Sequence, residues 1–209
     1  MKLYDYYRSS CSYRVRIALN IKKINYETIP IHLVQDGGIQ HSLAYQAVNP
    51  QELVPSLETN NHILTQSLAI IEYLEEMNPE PAFLPTHPLE RAQIRGLAQL
   101  IACDIHPLNN LRVLKTLREE FKASDDQITA WYHQWLQTGF NALETKLATL
   151  PRTKSVCFKD QVSLADICLI PQVYNATRFE FSLDNYPLIQ EINAYCLTIP
   201  EFSEAAPST

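Results

Sequence analysis

The chain has 209 residues, 46% of them hydrophobic and 19% charged, with a formal net charge of −6. That is enough apolar material for one large domain or two small ones. The acidic balance argues against nucleic acid as a partner, since phosphate binding requires a basic face, and no apolar run reaches membrane-spanning length.

Taken in order, the opening KLYDYY suits a strand. Its flank lacks the apolar core of a signal peptide, so a cytoplasmic protein is expected. CSYRVRIALNIKK carries Val15, Ile17, Ala18, Leu19 and Ile21, a broad apolar face for a helix packed on a sheet. YETIPIHL is β-rich, and Pro30 demotes it to a sheet edge. The paired Gly37 and Gly38 mark a turn. VPSLET and HILT, separated by Asn60-Asn61, read as a hairpin. SLAIIEYLEEM reads as a helix. Residues 1–80 therefore predict a small mixed sheet with helices on its faces.

NPEPAFLPTHPLE crowds Pro79, Pro81, Pro85 and Pro88 together, and no helix runs through that spacing. It is read as a linker over residues 81–88. Everything beyond is helical in pattern, from LERAQIRGLAQLIACDI to PLIQEINAYCLTI. The expected organisation is α+β, with an all-helical domain over residues 89–209 whose tail, SEAAPST, frays. SLAD, Ser163 to Asp166, reads as a capping box, and Pro171 is expected to kink the helix that follows. Trp131, Tyr132 and Trp135 are expected in the core.

Five cysteines occur, an odd number with no C-x-x-C pair, which argues against a disulfide framework or a zinc site. Cys103, Cys157, Cys168 and Cys196 lie in apolar surroundings and are expected to be buried, whereas Cys11 sits among polar neighbours. The histidines show no ligand spacing, so no metal is expected. In RSSCSYRVRIAL, Ser9, Ser10 and Ser12 are helix N-cap candidates, and a serine there can equally donate to an anion that the helix end favours. Ser67 is an N-cap candidate of the same kind. Pro55 reads as a strand-edge proline, and His106 with Pro107 as a helix-breaking pair.

SSCSYRVRIAL resembles the S-S-C-S-W-R-V-R-I-A-L signature of the zeta-class glutathione transferases, the maleylacetoacetate isomerases. DGGIQ, NPQELVPSL, QSLAIIEYLEE, DIHPLNNLRVLK, GFNALE and SLADICLIPQVYNA resemble further zeta-class segments, in the same order. The resemblance spans almost the whole chain. Tyr13 stands where tryptophan is usual, and Lys159 and Gln161 stand where glycine and an acid are expected. The last two changes are expected to affect stability rather than chemistry.

The resemblance implies a thioredoxin-like N-terminal domain and an all-helical C-terminal domain. It implies glutathione as cofactor and cis–trans isomerisation of maleylacetoacetate to fumarylacetoacetate, in tyrosine and phenylalanine breakdown. By that resemblance Ser9 donates to the glutathione thiolate, and Ser10 and Cys11 share its pocket. Ser12, Tyr13, Arg14, Gln40, Val54, Gln66 and Ser67 join the glutathione site, with a cis proline after Val54. His106, Asn110, Leu111 and Arg112 are implied on the helical side. A dicarboxylate substrate needs cations, for which Arg8, Arg14 and Arg178 stand at matching positions. A homodimer is also implied. The same motifs fit maleylpyruvate isomerisation or transfer to α-halo acids. A non-catalytic binding protein of the same fold is a third reading, and it expects the serines and the Gln66-Ser67 pair to be lost.

Overall fold

The computed structural model describes residues 1–207, and the chain divides into two compact units. The first holds Met1–Ala82 together with the stretch that begins at Ile199; the second is Phe83–Thr198. Among the described residues, no helix is long and apolar enough to cross a membrane.

The first unit is built on a four-stranded sheet of β1 (Lys2–Asp5), β2 (Glu27–Pro30), β3 (Ser56–Thr59) and β4 (His62–Thr65), in the order β2-β1-β3-β4. β2 runs parallel to β1 and occupies an edge, as Pro30 requires, because it cannot donate to a further strand. β3 and β4 form the expected antiparallel hairpin, and Asn60 and Asn61 both take positive φ, at 48° and 62°. That is the geometry of a two-residue hairpin turn, which asparagine tolerates.

Helices α1 (Ser10–Ile21), α2 (Leu43–Gln46) and α3 (Ser67–Met77) complete this part of the chain. Val15, Ile17, Ala18 and Leu19 of α1 are buried with Leu3, Leu57, Ile70, Ile71 and Leu74. Lys22, at the end of α1, is also buried; its Nζ donates to Glu75 at 2.6 Å and to the Pro81 carbonyl at 2.7 Å.

The C-terminal end differs from expectation. As far as residue 207 it does not fray; α9 (Pro200–Ser203) and residues 204–207 pack in the first unit, with Phe202 and Ala205 buried, and the last two residues of SEAAPST lie outside the described residues. The cause is polar. Tyr13, Arg16 and Asn20 on α1 carry donors, and the carbonyls of Phe202, Ala205 and Glu201 accept from them at 2.9, 2.8 and 3.2 Å. Without that stretch, buried donors on α1 would go unpaired.

The second unit contains α4 (Pro88–Gln99), α5 (Leu111–Glu119), α6 (Asp125–Thr149), α7 (Leu164–Arg178) and α8 (Pro187–Cys196). The expected linker is partly absorbed into it. Phe83 and Leu84 are buried, and the Leu164 amide donates to the Phe83 carbonyl at 3.0 Å. The SLAD motif caps α7 as expected, with buried Asp166 accepting from the Ser163 amide and hydroxyl and from the Cys157 amide at 2.7–2.8 Å. Burial still pushes the Asp166 carboxyl above its usual range. α7 continues helical through Pro171.

Two expectations are corrected. Cys103 is exposed, because it lies on the outer face of a π-helical stretch, Leu100–Ile105, that follows α4. Of Trp131, Tyr132 and Trp135 in α6, only Tyr132 is buried; Trp131 and Trp135 are half-buried, stacked edge to face with centroids 5.5 Å apart.

The π-helical stretch packs closely on α6 at one glycine. A Cβ added at Gly139 would lie 2.3 Å from Cδ1 and Cγ1 of Ile105, which is itself fully buried. The substitution Gly139→Ala is therefore expected to destabilise the protein by about 1–3 kcal/mol in urea unfolding, the usual cost of overpacking. Shortening the neighbour, in Gly139→Ala/Ile105→Val, should recover part of that loss.

Candidate active site

The topology gathers four loops at one end of the sheet. β1 and β2 are parallel, so the chain leaves both at the same end. β3 starts at Ser56, opposite Tyr4, and β4 ends at Thr65, opposite Ser56. Ser9 follows β1 by four residues, Val54 and Pro55 precede β3, and Gln66 and Ser67 follow β4, all at that end. The N-termini of α1 and α3 open there, and helix N-termini present unpaired amides and a positive potential to an anion.

Ser9 is the N-cap of α1, and its Oγ accepts from the Ser12 amide at 3.3 Å. The oxygen is used in the cap, which leaves the hydroxyl proton to be donated. Ser10 is buried and Cys11 half-buried. Ser12 is fully buried, and its hydroxyl has no hydrogen-bond partner among the described residues. Tyr13 is also sealed, its hydroxyl given to the Phe202 carbonyl, so its role is to hold the C-terminal stretch rather than a ligand. Arg14 is 1% exposed and cannot meet a substrate carboxylate directly; its Nη1 lies 3.4 Å from Ser67 Oγ and 3.7 Å from Cys11 Sγ. Arg8 is exposed, with its guanidinium 5.2 Å from the Tyr7 ring centroid.

The Val54–Pro55 peptide is cis, matching the bond implied by the family resemblance. Its approach is fixed by the Leu53 carbonyl, which accepts from Tyr45 Oη at 2.7 Å and Asn49 Nδ2 at 2.8 Å. Burial pushes the Tyr45 phenol up, which keeps it a donor. Gln66 holds the N-cap position of α3 with φ of 70°, an uncommon conformation for a residue with a Cβ. Ser67, expected as the cap, is instead the first helical residue, and Gln66 Nε2 donates to Gln51 Oε1 at 3.0 Å. Gln40 is turned onto its own loop: Nε2 donates to the Leu33 carbonyl at 3.1 Å and Oε1 is sealed. Gly38, at φ 99°, permits this, since a Cβ there would lie 2.5 Å from that amide nitrogen. Tyr45, Asn49 and Gln51 were not picked out from the sequence. Asn49 and Gln51 lie in NPQELVPSL, where a polar cluster before a strand-edge proline was the available signal.

The second unit holds the remaining candidates in two places. His106 is half-buried directly after the π-helical stretch, its amide donating to the Ile101 carbonyl at 3.0 Å. Asn110 caps α5 by accepting from the Arg112 amide at 3.1 Å, and Leu111 and Arg112 are exposed. Arg178 is exposed at the end of α7, with Nη1 3.3 Å from Asn175 Oδ1. α6 links the two places. Trp131 Nε1 donates to the Leu108 carbonyl, the Tyr132 carbonyl accepts from Asn109, and the Tyr132 ring stacks on Phe179 at 3.7 Å.

The comparisons with known proteins agree with this reading of the first unit. Residues 3–82 match the glutathione S-transferase N-terminal domain. A probable maleylacetoacetate isomerase of Vibrio cholerae is 46% identical over 98% of this chain and 94% of its own. A holo structure of maleylpyruvate isomerase, a bacterial zeta-class glutathione S-transferase, superposes with a TM-score of 0.96 at 45% identity, covering 99% of this chain and 97% of that one. Maleylacetoacetate isomerase of Methylobacterium extorquens AM1, solved with malonate and glutathione bound, gives a TM-score of 0.94 at 38% identity over 99% and 96% of the two chains. The chain belongs to the zeta class of the glutathione transferases, among the maleylacetoacetate isomerases.

The loop that carries Arg8 and Ser9 is held by one buried ion pair. Arg16 Nη1 lies 2.7 and 2.9 Å from the two oxygens of Asp5, and Nη2 donates to the Tyr7 carbonyl at 3.0 Å. Arg16→Met leaves Asp5 buried without a partner. We expect a loss of about 3–5 kcal/mol in urea unfolding. In Arg16→Met/Asp5→Leu, the removal of both charges should return much of it.

Proposed function

We propose that the protein is a glutathione-dependent cis–trans isomerase that converts maleylacetoacetate to fumarylacetoacetate in tyrosine and phenylalanine breakdown. The observation that carries the proposal is Ser9. It caps α1 through its oxygen and keeps its proton for an anion at the helix mouth. The loops around it fit a peptide thiol with a carboxylate: a second helix N-terminus opens at the same end, with a sealed cation, Arg14, behind its first residue.

The thiol of glutathione supplies reversible addition to the conjugated double bond, which can turn while it is a single bond. The protein's part is to hold that thiol and favour its ionised form. A free thiol has a pKa of about 8.5, and lowering it by about 1.5 units takes about 2 kcal/mol. One hydroxyl donor with a helix N-terminus is of that size. Ser9 donates to the sulfur, and Ser10 and Cys11 line the same helix mouth. Val54 offers backbone to the cysteinyl part, and the start of α3 takes the γ-glutamyl carboxylate. Arg8, an exposed cation next to Ser9, serves a substrate carboxylate.

Maleylpyruvate is a second substrate to consider, because the maleylpyruvate isomerase structure matches over nearly the full chain. We place the protein in the cytoplasm, and we propose that it works as a homodimer. A single species near 48 kDa in sedimentation velocity, about twice the chain mass of 24.0 kDa, is the expected result; a 24.0 kDa species would contradict it.

For the activity, maleylacetone isomerisation is measured with and without glutathione. Turnover is expected to require glutathione, and Ser9→Ala to lower kcat by about 100-fold or more, the usual effect of removing one donor to a developing anion. Undiminished turnover in the variant would move the donor role to Ser10 or Cys11. No turnover with glutathione bound would overturn the isomerase reading.

A further inference from the structure

α1 buries two arginines, and they are treated differently by the fold. Arg16 meets a carboxylate with both oxygens and gives its remaining donors to backbone carbonyls. Arg14 is 1% exposed and pairs with no carboxylate among the described residues. Only its Nη1 is used, toward Ser67 Oγ and Cys11 Sγ, while Nε and Nη2 are buried without a hydrogen-bond partner among the described residues. A sealed guanidinium with unfilled donors is costly, and breaking even requires a nearby anion. The N-termini of α1 and α3 lie at the same end of the sheet and add positive potential of their own. The local charge is therefore complete only when an anion binds.

We infer that Arg14 is a positioning residue that sets Ser67 to receive the γ-glutamyl carboxylate of glutathione. The inference rests on the glutathione reading above. Its chemistry follows from who donates. Arg14 Nη1 donates to Ser67 Oγ, so the Ser67 proton points away from the guanidinium. It is then presented at the start of α3, beside the first amides of the helix and the exposed Gln66. The hydroxyl becomes a fixed and polarised donor, and the positive charge stands one atom behind it. Arg14 itself never touches the ligand. That explains how a residue of the signature motif can matter for binding while remaining sealed.

The test compares two ligands by titration calorimetry on the full chain: glutathione, and 4-aminobutanoyl-cysteinylglycine, which keeps the thiol and lacks the γ-glutamyl carboxylate. Wild type is expected to prefer glutathione by about tenfold or more, the worth of one charge-assisted hydrogen bond. In Arg14→Met the preference should fall to within about threefold, by weakening glutathione and leaving the analogue unchanged. Arg14→Met/Ser67→Ala should lose no more preference than Ser67→Ala alone, since the arginine acts through the serine. Arg14→Lys keeps the charge without the planar fork and should give an intermediate preference, which preserves the test if the methionine variant does not fold. A wild-type preference retained in Arg14→Met and Arg14→Lys would overturn the inference. So would an equal loss for both ligands, which would assign the arginine to the thiol or to the fold. Wild type that binds neither ligand would instead overturn the glutathione reading, and this inference with it.

Discussion

The first unit depends on a charge placed where an apolar residue would be the default. Asp5 is the last residue of β1 and points to the buried face, as Leu3 does two residues earlier. Burying a lone carboxylate is prohibitive, so the sheet can end this way only if a cation reaches it. Arg16 does so from the second turn of α1, and its remaining donors reach the Tyr7 carbonyl and the Ala205 carbonyl. One guanidinium thereby joins the end of a strand, the loop that follows it, a helix and the C-terminal stretch. The loop held between these points contains Arg8 and Ser9. The placement of the proposed thiolate donor is thus a consequence of satisfying one buried acid.

The same logic separates rigid parts of the site from those free to meet a ligand. Gln40, Tyr13 and Asn110 have their side-chain groups turned onto the protein's own backbone. Each braces a loop or a helix start. Ser9 and Ser67 are different, because each oxygen accepts from the protein and each proton is left over. A site made of such hydroxyls is preorganised: the acceptor contact fixes the oxygen before any ligand arrives. Positive φ at Gln66 belongs to the same design, since it turns the chain sharply from β4 into α3.

Much of this was legible in the sequence because it follows from local rules. The hairpin at Asn60-Asn61, the edge position forced by Pro30 and the cap of α7 by SLAD each express the preference of one or two residues. The helix bounds of α3 match its apolar period. What was not legible depends on pairing across distance in the chain. Arg14 and Arg16 sit two residues apart in a motif, and nothing local says that one finds a carboxylate and the other does not. The C-terminal stretch reads as polar and small, and its docking depends on donors of α1 that lie far from it in the chain. Cys103 departs from its apolar setting for a third reason. Its surroundings are apolar, but the π-helical turn carries an extra residue per turn and rotates it outward.

The departures from the family signature can be argued in the same terms. Tyr13 stands where tryptophan is usual, and its hydroxyl reaches the Phe202 carbonyl. An indole N–H is likewise a single donor, so the exchange keeps a donor for a buried carbonyl and changes only its reach. Lys159 stands where glycine is expected, and its φ is 51°. That conformation suits glycine and costs a side-chain-bearing residue about 1–3 kcal/mol. The lysine gives something back that glycine cannot. Its Nζ lies 2.7 and 2.8 Å from the carboxylate oxygens of Glu90 and 5.2 Å from the Phe158 ring centroid. Such a half-exposed pair is worth about 1 kcal/mol at most, so it offsets part of the strain and not all of it. The balance falls on the stability of the turn before α7, and none of the contacts involved includes a proposed site residue.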